Sequence, residues 1–444
     1  MKKYDVVIAG GGPAGLSLAA DLSKDFDVLV VEKEKAGTTT RSWYTFQDRI
    51  KKNGLNDAVV ATPENVTFYM DEESNITYKD KHALVNENCV LKIFKEKAES
   101  NSCKIISNTP VIDFKYNGAG IILKTNRGNY YGNLLIDCMG ATSPIVFKRN
   151  LQKEFNVWIV YGMRAKNTRF FDTNTIGFYK MPEKYQPKND KTNYMFGIYP
   201  KSRSEGDIYL FNYYDRILKP EILMQMFKKS VGEFLPKYKN TGVLKGWIYN
   251  GVLKKYALDR VLFVGESGCL TPPAIGMGFN EILRKHGIIS ERLRYKINHE
   301  HDLSSHALSD TLLDCRNSAS YTFLKICQKY FYYGNNAEAW KRGILILNKA
   351  GKVFTRKWMR NELDYSLIKK GMTSMIDVVG WTGLLGILPA EEFIKLSLEA
   401  MNIMGSSVIE DAHLAFHRQY RDKPSELCKH CHCRYRISKT KNKM

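Results

Sequence analysis

Gly10, Gly12, Pro13, Ala14 and Gly15 form a run of small residues, and Glu32 follows after room for one helix and one short strand. Glycines at this spacing suit a turn that cradles phosphate. Gly10 permits the tight turn, Gly12 lets the backbone approach a pyrophosphate, and Gly15 lets a helix pack closely on a strand. Phosphate oxygens would rest on the free N–H groups at the helix start. Glu32 would accept hydrogen bonds from a ribose 2′-hydroxyl and repel a 2′-phosphate; Lys33 stands beside it and is counted with the same site. Arg41 opens the phrase Arg41-Ser42-Trp43-Tyr44, where a guanidinium could pair with a phosphate or cover a bound ring.

The elements around these residues agree with that chemistry. Tyr4 to Ala9 is an apolar run suited to a buried parallel strand, Leu16 to Leu22 has helical spacing, and Val28 to Val31 is a second apolar strand closed by Glu32. Strand, glycine turn, helix, strand and acid fall within about 30 residues, the arrangement of a dinucleotide site. No second fingerprint occurs in the same context. One permanently held dinucleotide suits FAD better than NAD, although this motif by itself fits both.

Two later segments extend the site. Leu134 to Asp137 reads as a buried strand leading to a turn at Gly140. Before it, Val111 to Phe114, Ile121 to Thr125 and Tyr130 to Leu135 read as strands joined at Asn117-Gly118 and Arg127-Gly128. Val261 to Val264 then delivers Gly265 and Glu266, and Pro272, Pro273, Gly276, Met277 and Gly278 shape a loop before Asn280 and Glu281 open a helix. An acid at the strand end can hold a polyol hydroxyl. A glycine-rich loop entering a helix can direct N–H groups at negative charge on a reduced isoalloxazine ring.

The order GGGPAG (10–15), Glu32, LLIDCMG (134–140) and GESGCLTPPAIGMGFN (265–280) resembles the single-FAD flavoprotein superfamily, which includes aromatic hydroxylases, geranylgeranyl reductases, lycopene cyclases and flavin halogenases. The resemblance covers about residues 1–300 and is nearest to the geranylgeranyl reductase and lycopene cyclase branch. It implies an α/β fold: an FAD-binding Rossmann-like domain interleaved with an antiparallel-sheet substrate domain, followed by a helical C-terminal region. The expected divisions are 1–55, 86–150 and 251–306 for the FAD-binding domain and 56–85 and 151–250 for the substrate domain. Residues 307–420 form the helical region and 421–444 a basic Cys/His tail. The family usually has Asp where this chain has Glu266.

Tyr194 to Lys201 (YMFGIYPK) resembles the aromatic-proline segment of prenyl reductases and lycopene cyclases. A plain amphipathic strand ending at Pro200 would read the same way. The acid of the cyclase branch falls near Phe211 or Asn212, and Asp215 is displaced from it. The paired-tryptophan motif of halogenases is not evident, and Met139-Gly140 replaces the Asp-Gly pair of hydroxylases. The resemblance therefore favours hydride transfer between flavin N5 and a carbon–carbon bond of a hydrophobic isoprenoid or lipid. The alternatives are a redox-neutral cyclase using reduced FAD, an aromatic hydroxylase, and an RNA-associated flavoprotein. Cys269, Tyr199 and Tyr44 are the candidate catalytic groups, each a potential proton donor; a gap-filling thiol and two lining rings are the alternative readings. His286 has no assignable partner and reads as structural.

The chain has 44% hydrophobic and 25% charged residues, which excludes a disordered chain and a polytopic membrane protein. Its net charge of +21 permits an anionic partner without selecting one, and coherent cofactor motifs outweigh it, so no nucleic-acid partner is expected. Nine cysteines without a signal-like segment suggest reduced thiols in the cytoplasm. Basic and aromatic residues interleave at 326–333 and 352–360, compatible with packed helices or peripheral contact with the inner face of a membrane. A hydrophobic small molecule and an unidentified electron donor are the expected partners. His413 and His417 share a helical face, and Cys428, His430, Cys431, His432 and Cys433 crowd the tail. No metal site is assigned, because neither group has a complete ligand set.

Overall fold

The computed structural model describes residues 2–118, 120–154, 156–169, 172–186, 193–214, 219–316, 318–333 and 337–387. Asp215, Asp411, His413, His417 and the Cys/His tail lie outside them.

The chain forms an α/β structure. The buried run Lys3–Ala9 pairs in parallel with Val28–Val31 on one side and Gly128–Asp137 on the other; Lys104–Ile106 and Val261–Phe263 extend the sheet. Val6, Val7, Ile8 and Ala9 are fully buried, as expected of a strand covered on both faces. Register aligns the functional ends: Ala9 lies opposite Val31 and Asp137, and Asp137 lies opposite Phe263. The three distant motifs therefore reach one sheet edge as a consequence of strand pairing. The helix Pro13–Leu22 covers this sheet and packs on Glu87–Ser100 and Gly278–Tyr295. The last helix starts at Gly278, two residues before the expected Asn280. The hairpin strands Val111–Asn117, Gly120–Thr125 and Gly128–Asp137 form as anticipated.

The second sheet has seven strands in the order Lys239–Tyr249, Val157–Lys166, Glu205–Tyr214, Met195–Pro200, Thr175–Lys180, Asn65–Tyr69, Asn75–Lys79. Its pairings are antiparallel except Thr175–Lys180 with Asn65–Tyr69, which run parallel. That exception arises where a hairpin from the first part of the chain joins strands from the middle. Period-two alternation divides the sheet faces. Ile159, Tyr161, Phe196, Ile208 and Leu210 pack with Leu223 and Phe227 of the helix Glu221–Ser230. Trp158, Phe178, Met195, Tyr199 and Phe211 instead join a core completed by Trp340, Ile344, Leu347, Phe354 and Trp358.

These last residues belong to the helix Ala337–Met359, which packs with Ala319–Tyr333 and Tyr365–Ile387. Helices thus fill the described part of the region after 307. Among the described residues, no helix is long and apolar enough to cross a membrane.

Candidate functional site

At the edge of the parallel sheet, Gly10 adopts φ +105°, and a Cβ there would lie 2.4 Å from the Cys138 carbonyl oxygen. Only glycine fits this turn. The helix after it begins with Pro13 at its first turn and carries no side-chain cap at Gly12. A Cβ built on Gly12 meets nothing within 4 Å, so this backbone faces open space. Gly15 lies behind the turn; a Cβ there would sit 1.9 Å from the Gly10 carbonyl oxygen, which makes it a packing residue. The Gly11 N–H donates to Glu32 Oε2 at 2.5 Å and the Glu34 N–H to Oε1 at 2.9 Å, fixing the carboxylate beside the glycine turn.

A cleft of about 2020 Å³, its open side included, runs along this edge. Gly10, Gly12, Pro13, Ala14, Glu32, Lys33, Arg41, Gly140, Gly265, Glu266 and Gly278 all line it. Arg41 Nη1 donates to Glu266 Oε1 at 2.7 Å, so this arginine pairs with the acid of the third motif. Trp43 stacks on Phe279 with ring centroids 4.7 Å apart, placing the same segment across the start of the helix Gly278–Tyr295.

The second cleft, of about 1340 Å³ with its mouth, lies between the seven-stranded sheet and the C-terminal helices. Tyr44, Phe68, Trp158, Phe178, Tyr199, Tyr209, Phe211, Trp340 and Trp358 contribute its rings, and Gly276 and Met277 its base. Trp158 and Phe211 stack at 5.1 Å with planes 2° apart. Tyr44 meets Tyr199 edge-on at 5.1 Å, and Tyr199 meets Tyr209 likewise at 5.1 Å. Gly197 makes this possible, because a Cβ there would stand 2.6 Å from the Tyr209 ring. Burial holds the Tyr44, Tyr199 and Tyr209 phenols far above their ordinary values, so all three keep their protons. The two clefts share Arg41, Trp43, Lys245, Trp247, Glu266, Gly278 and Phe279 and meet there.

Four assignments need correction. Asp137 is fully buried and lines neither cleft. It accepts from the Ser143 hydroxyl at 2.5 Å and the Met139 N–H at 3.0 Å, so it ties down the turn that presents Gly140. Burial pushes its carboxyl up to about 6 against these hydrogen bonds. Asn280 is likewise buried behind the cleft, accepting from Thr45 at 3.2 Å, because the helix begins earlier than its sequence suggested. Pro273 shapes the loop, its carbonyl accepting from the Ile275 N–H at 2.8 Å, without reaching either cleft. Cys269 is fully buried in the core beneath the sheet and lines neither cleft, so it is not a proton donor to either. His286 is structural, as its sequence context indicated: its ring contacts Asp21 at 2.6 Å and Asn53 at 2.5 Å.

Sequence reasoning missed Thr271 and most of the ring cage. Thr271 lines the dinucleotide cleft, and its buried hydroxyl has no protein partner. The alternating aromatics of 157–163 and 207–211 carried a signal for the cage; Trp340 and Trp358 gave none beyond helical periodicity. The uncapped helix start, the open space at Gly12 and the unpartnered Thr271 hydroxyl together fit a dinucleotide. Among the described residues, no cluster could hold a metal ion.

His82 stands behind Tyr44, with ring centroids 5.9 Å apart, and neither ring nitrogen has a hydrogen-bond partner. Burial, opposed by Asp80 and reinforced by Arg360, lowers it to about 4. The unfolded chain binds this proton from about pH 6.5 downward and the folded chain only near 4. Stability is therefore lost as pH falls through that interval, by up to about 3 kcal/mol. His82→Phe should flatten this part of the acid limb in denaturant unfolding followed from pH 7 to 4; an unchanged limb would show that His82 does not drive it.

Fold and site together define a parallel α/β sheet with a glycine-turn cleft suited to one dinucleotide. Residues 7–157 match the family model described as pyridine nucleotide-disulphide oxidoreductase. A monomeric sarcosine oxidase from Arthrobacter sp. (strain TE1826) is 26% identical over 180 residues, 34% of this chain and 43% of that protein. A digeranylgeranylglycerophospholipid reductase from Haloferax volcanii is 27% identical over 158 residues, 32% of this chain and 37% of that protein. The chain thus spans less than half the length of these two curated relatives. A geranylgeranyl bacteriochlorophyll reductase-like protein from Thermoplasma acidophilum superposes with TM-score 0.62 at 13% identity, covering 87% of this chain and 98% of that one. A halogenase, PltM, solved with phloroglucinol and FAD superposes with TM-score 0.59 at 12% identity, covering 94% and 96%. At these identities the likeness establishes the fold.

Proposed function

We propose that the protein is an FAD-dependent oxidoreductase that transfers hydride between flavin N5 and a carbon–carbon bond of a hydrophobic substrate, isoprenoid or lipid in class. The observation carrying this reading is the merging of the dinucleotide cleft with an aromatic, largely apolar cavity at Arg41, Trp43, Glu266 and Phe279. FAD would lie with its pyrophosphate over Gly12, held by the N–H groups of the helix Pro13–Leu22, and its adenosine ribose by Glu32. Bound and reduced, it supplies a hydride equivalent at N5. The chain's own residues do the remainder. Trp158, Phe178, Phe211, Ile344 and Leu347 exclude water and hold an extended apolar chain. Tyr199 and Tyr44 line the cavity with their phenols protonated and are the proposed proton donors, although burial holds those protons tightly and release needs a strongly basic carbon. A cavity mouth at a membrane surface would spare an apolar substrate passage through water.

The Thr271 hydroxyl would hydrogen-bond the cofactor. Thr271→Val keeps the shape and should weaken FAD about fivefold, the worth of roughly 1 kcal/mol, in equilibrium dialysis. Unchanged affinity would turn that hydroxyl away from the cofactor.

The function is tested with dithionite-reduced protein and a polyprenol probe under anaerobic conditions. Stoichiometric loss of reduced flavin with formation of a saturated product supports the reductase. Cyclised product without electron loss would make the protein a redox-neutral cyclase, and a requirement for oxygen with a hydroxylated product would make it a hydroxylase.

A further inference from the structure

Behind Arg41 lies a buried ionic cluster that lines neither cleft. Glu87 opens the helix Glu87–Ser100, whereas Arg164 and Asp207 lie on strands of the seven-stranded sheet and Lys201 on the turn after its strand Met195–Pro200. The Glu87 and Asp207 side chains are each 1% exposed. Arg164 Nη2 lies 2.7 Å from Glu87 Oε2, and Lys201 Nζ lies 2.9 Å from Asp207 Oδ2. Cross-contacts of 3.5 Å from Lys201 to Glu87 and 3.7 Å from Arg164 to Asp207 close the square. Two carboxylates and two cations balance, so neither acid is buried uncompensated.

This cluster grips three successive residues of one segment. Arg164 Nη2 donates to the Arg41 carbonyl at 3.2 Å, the Ser42 hydroxyl donates to Asp207 Oδ2 at 2.6 Å, and the Trp43 N–H donates to Glu87 Oε1 at 3.2 Å. Immediately beyond the grip, the Arg41 side chain pairs with Glu266 and the Trp43 ring stacks on Phe279, where the two clefts meet. The helix and the sheet both contribute to the anchor, so their relative placement and that of Arg41 are mechanically one variable.

We propose that Glu87 and Asp207 are positioning residues that fix the segment 41–43, hold the Arg41 guanidinium at the junction of the clefts, and thereby set the preference of the site for reduced over oxidised FAD. This rests on the reading that FAD occupies the dinucleotide cleft. Reduction adds negative charge to the ring system. A fixed guanidinium favours that form, and a Glu266 carboxylate deprived of its partner opposes it. Loosening the anchor therefore lowers the potential.

The test is the midpoint potential of FAD bound to the full chain in the wild type, Arg41→Gln, Asp207→Asn and Ser42→Ala, each at full flavin occupancy. Arg41→Gln is expected to reduce the ratio of reduced to oxidised affinity roughly tenfold, about 30 mV for a two-electron couple. Asp207→Asn should shift it in the same direction. Ser42→Ala removes one hydrogen bond and no charge, keeps the protein folded, and should give a smaller shift of the same sign. A purely structural cluster would lower thermal stability and leave the potential of bound FAD in place. Unchanged potentials for Ser42→Ala and Asp207→Asn, beside a shifted Arg41→Gln, overturn the positioning role alone. A wild-type protein unable to take up FAD overturns the cofactor reading beneath it.

Discussion

Gly12→Asp is expected to fold normally and to lose its dinucleotide. Gly12 has φ −79° and ψ −171°, extended backbone open to any residue, and a Cβ there meets nothing within 4 Å. It also occupies the N-cap of the helix Pro13–Leu22, where aspartate is favoured, so the apoprotein should keep or slightly raise its melting temperature. The new carboxylate would stand where the pyrophosphate belongs. Like-charge contact costs several kcal/mol, so FAD affinity should fall by more than about a hundredfold. Gly10→Val supplies the contrast: its positive φ and the 2.4 Å approach to the Cys138 carbonyl oxygen forbid a side chain, and that variant should fail to fold. Flavin titration beside circular-dichroism melts distinguishes the two. Gly12→Asp protein that still binds FAD tightly would move the phosphates elsewhere.

The second large effect concerns the apolar cavity. Leu347 lines it from the helix Ala337–Met359 and is 5% exposed. Leu347→Trp places an indole into space meant for substrate. Displacing three methylene-sized groups of a polyprenyl chain costs about 2.4 kcal/mol, so binding of a fluorescent polyprenyl probe should weaken about fiftyfold. FAD content and its reduction by dithionite should stay at wild-type levels, because Leu347 does not line the dinucleotide cleft. In a filled core the same change would cost about 1–3 kcal/mol of stability through overpacking. Undiminished probe binding, or a large stability loss in its place, would show that this cavity does not hold the substrate.

The legible parts of the sequence were those in which backbone geometry selects the residue type. The strand before Gly10, the Gly140 turn and the Gly265–Gly278 loop are glycine-marked, and parallel pairing of Ala9, Val31, Asp137 and Phe263 brings them together as their order suggested. Direction of side chains was less legible. Asp137, Asn280, Pro273 and Cys269 stand within the right motifs, yet their side chains face away from both clefts, and a motif's spacing carries no information on that. The Arg41–Glu266 pair joins residues 225 positions apart, and the Glu87–Asp207 anchor joins the helix Glu87–Ser100 to the seven-stranded sheet. Such contacts depend on how sheets pack, and local periodicity is silent on them. The ring cage falls between these cases: alternation along 157–163 and 207–211 marked one wall, whereas Trp340 and Trp358 close it from a helix distant in sequence.

The central claim is that one FAD exchanges electrons with a molecule seated in the adjoining apolar cavity. It is tested most directly by following the visible absorbance of dithionite-reduced, oxygen-free holoprotein as a polyprenol probe is added. Return of the oxidised flavin band, one flavin for each double bond saturated, is the expected result. A band that stays bleached at saturating probe, with the probe shown to be bound, would contradict it.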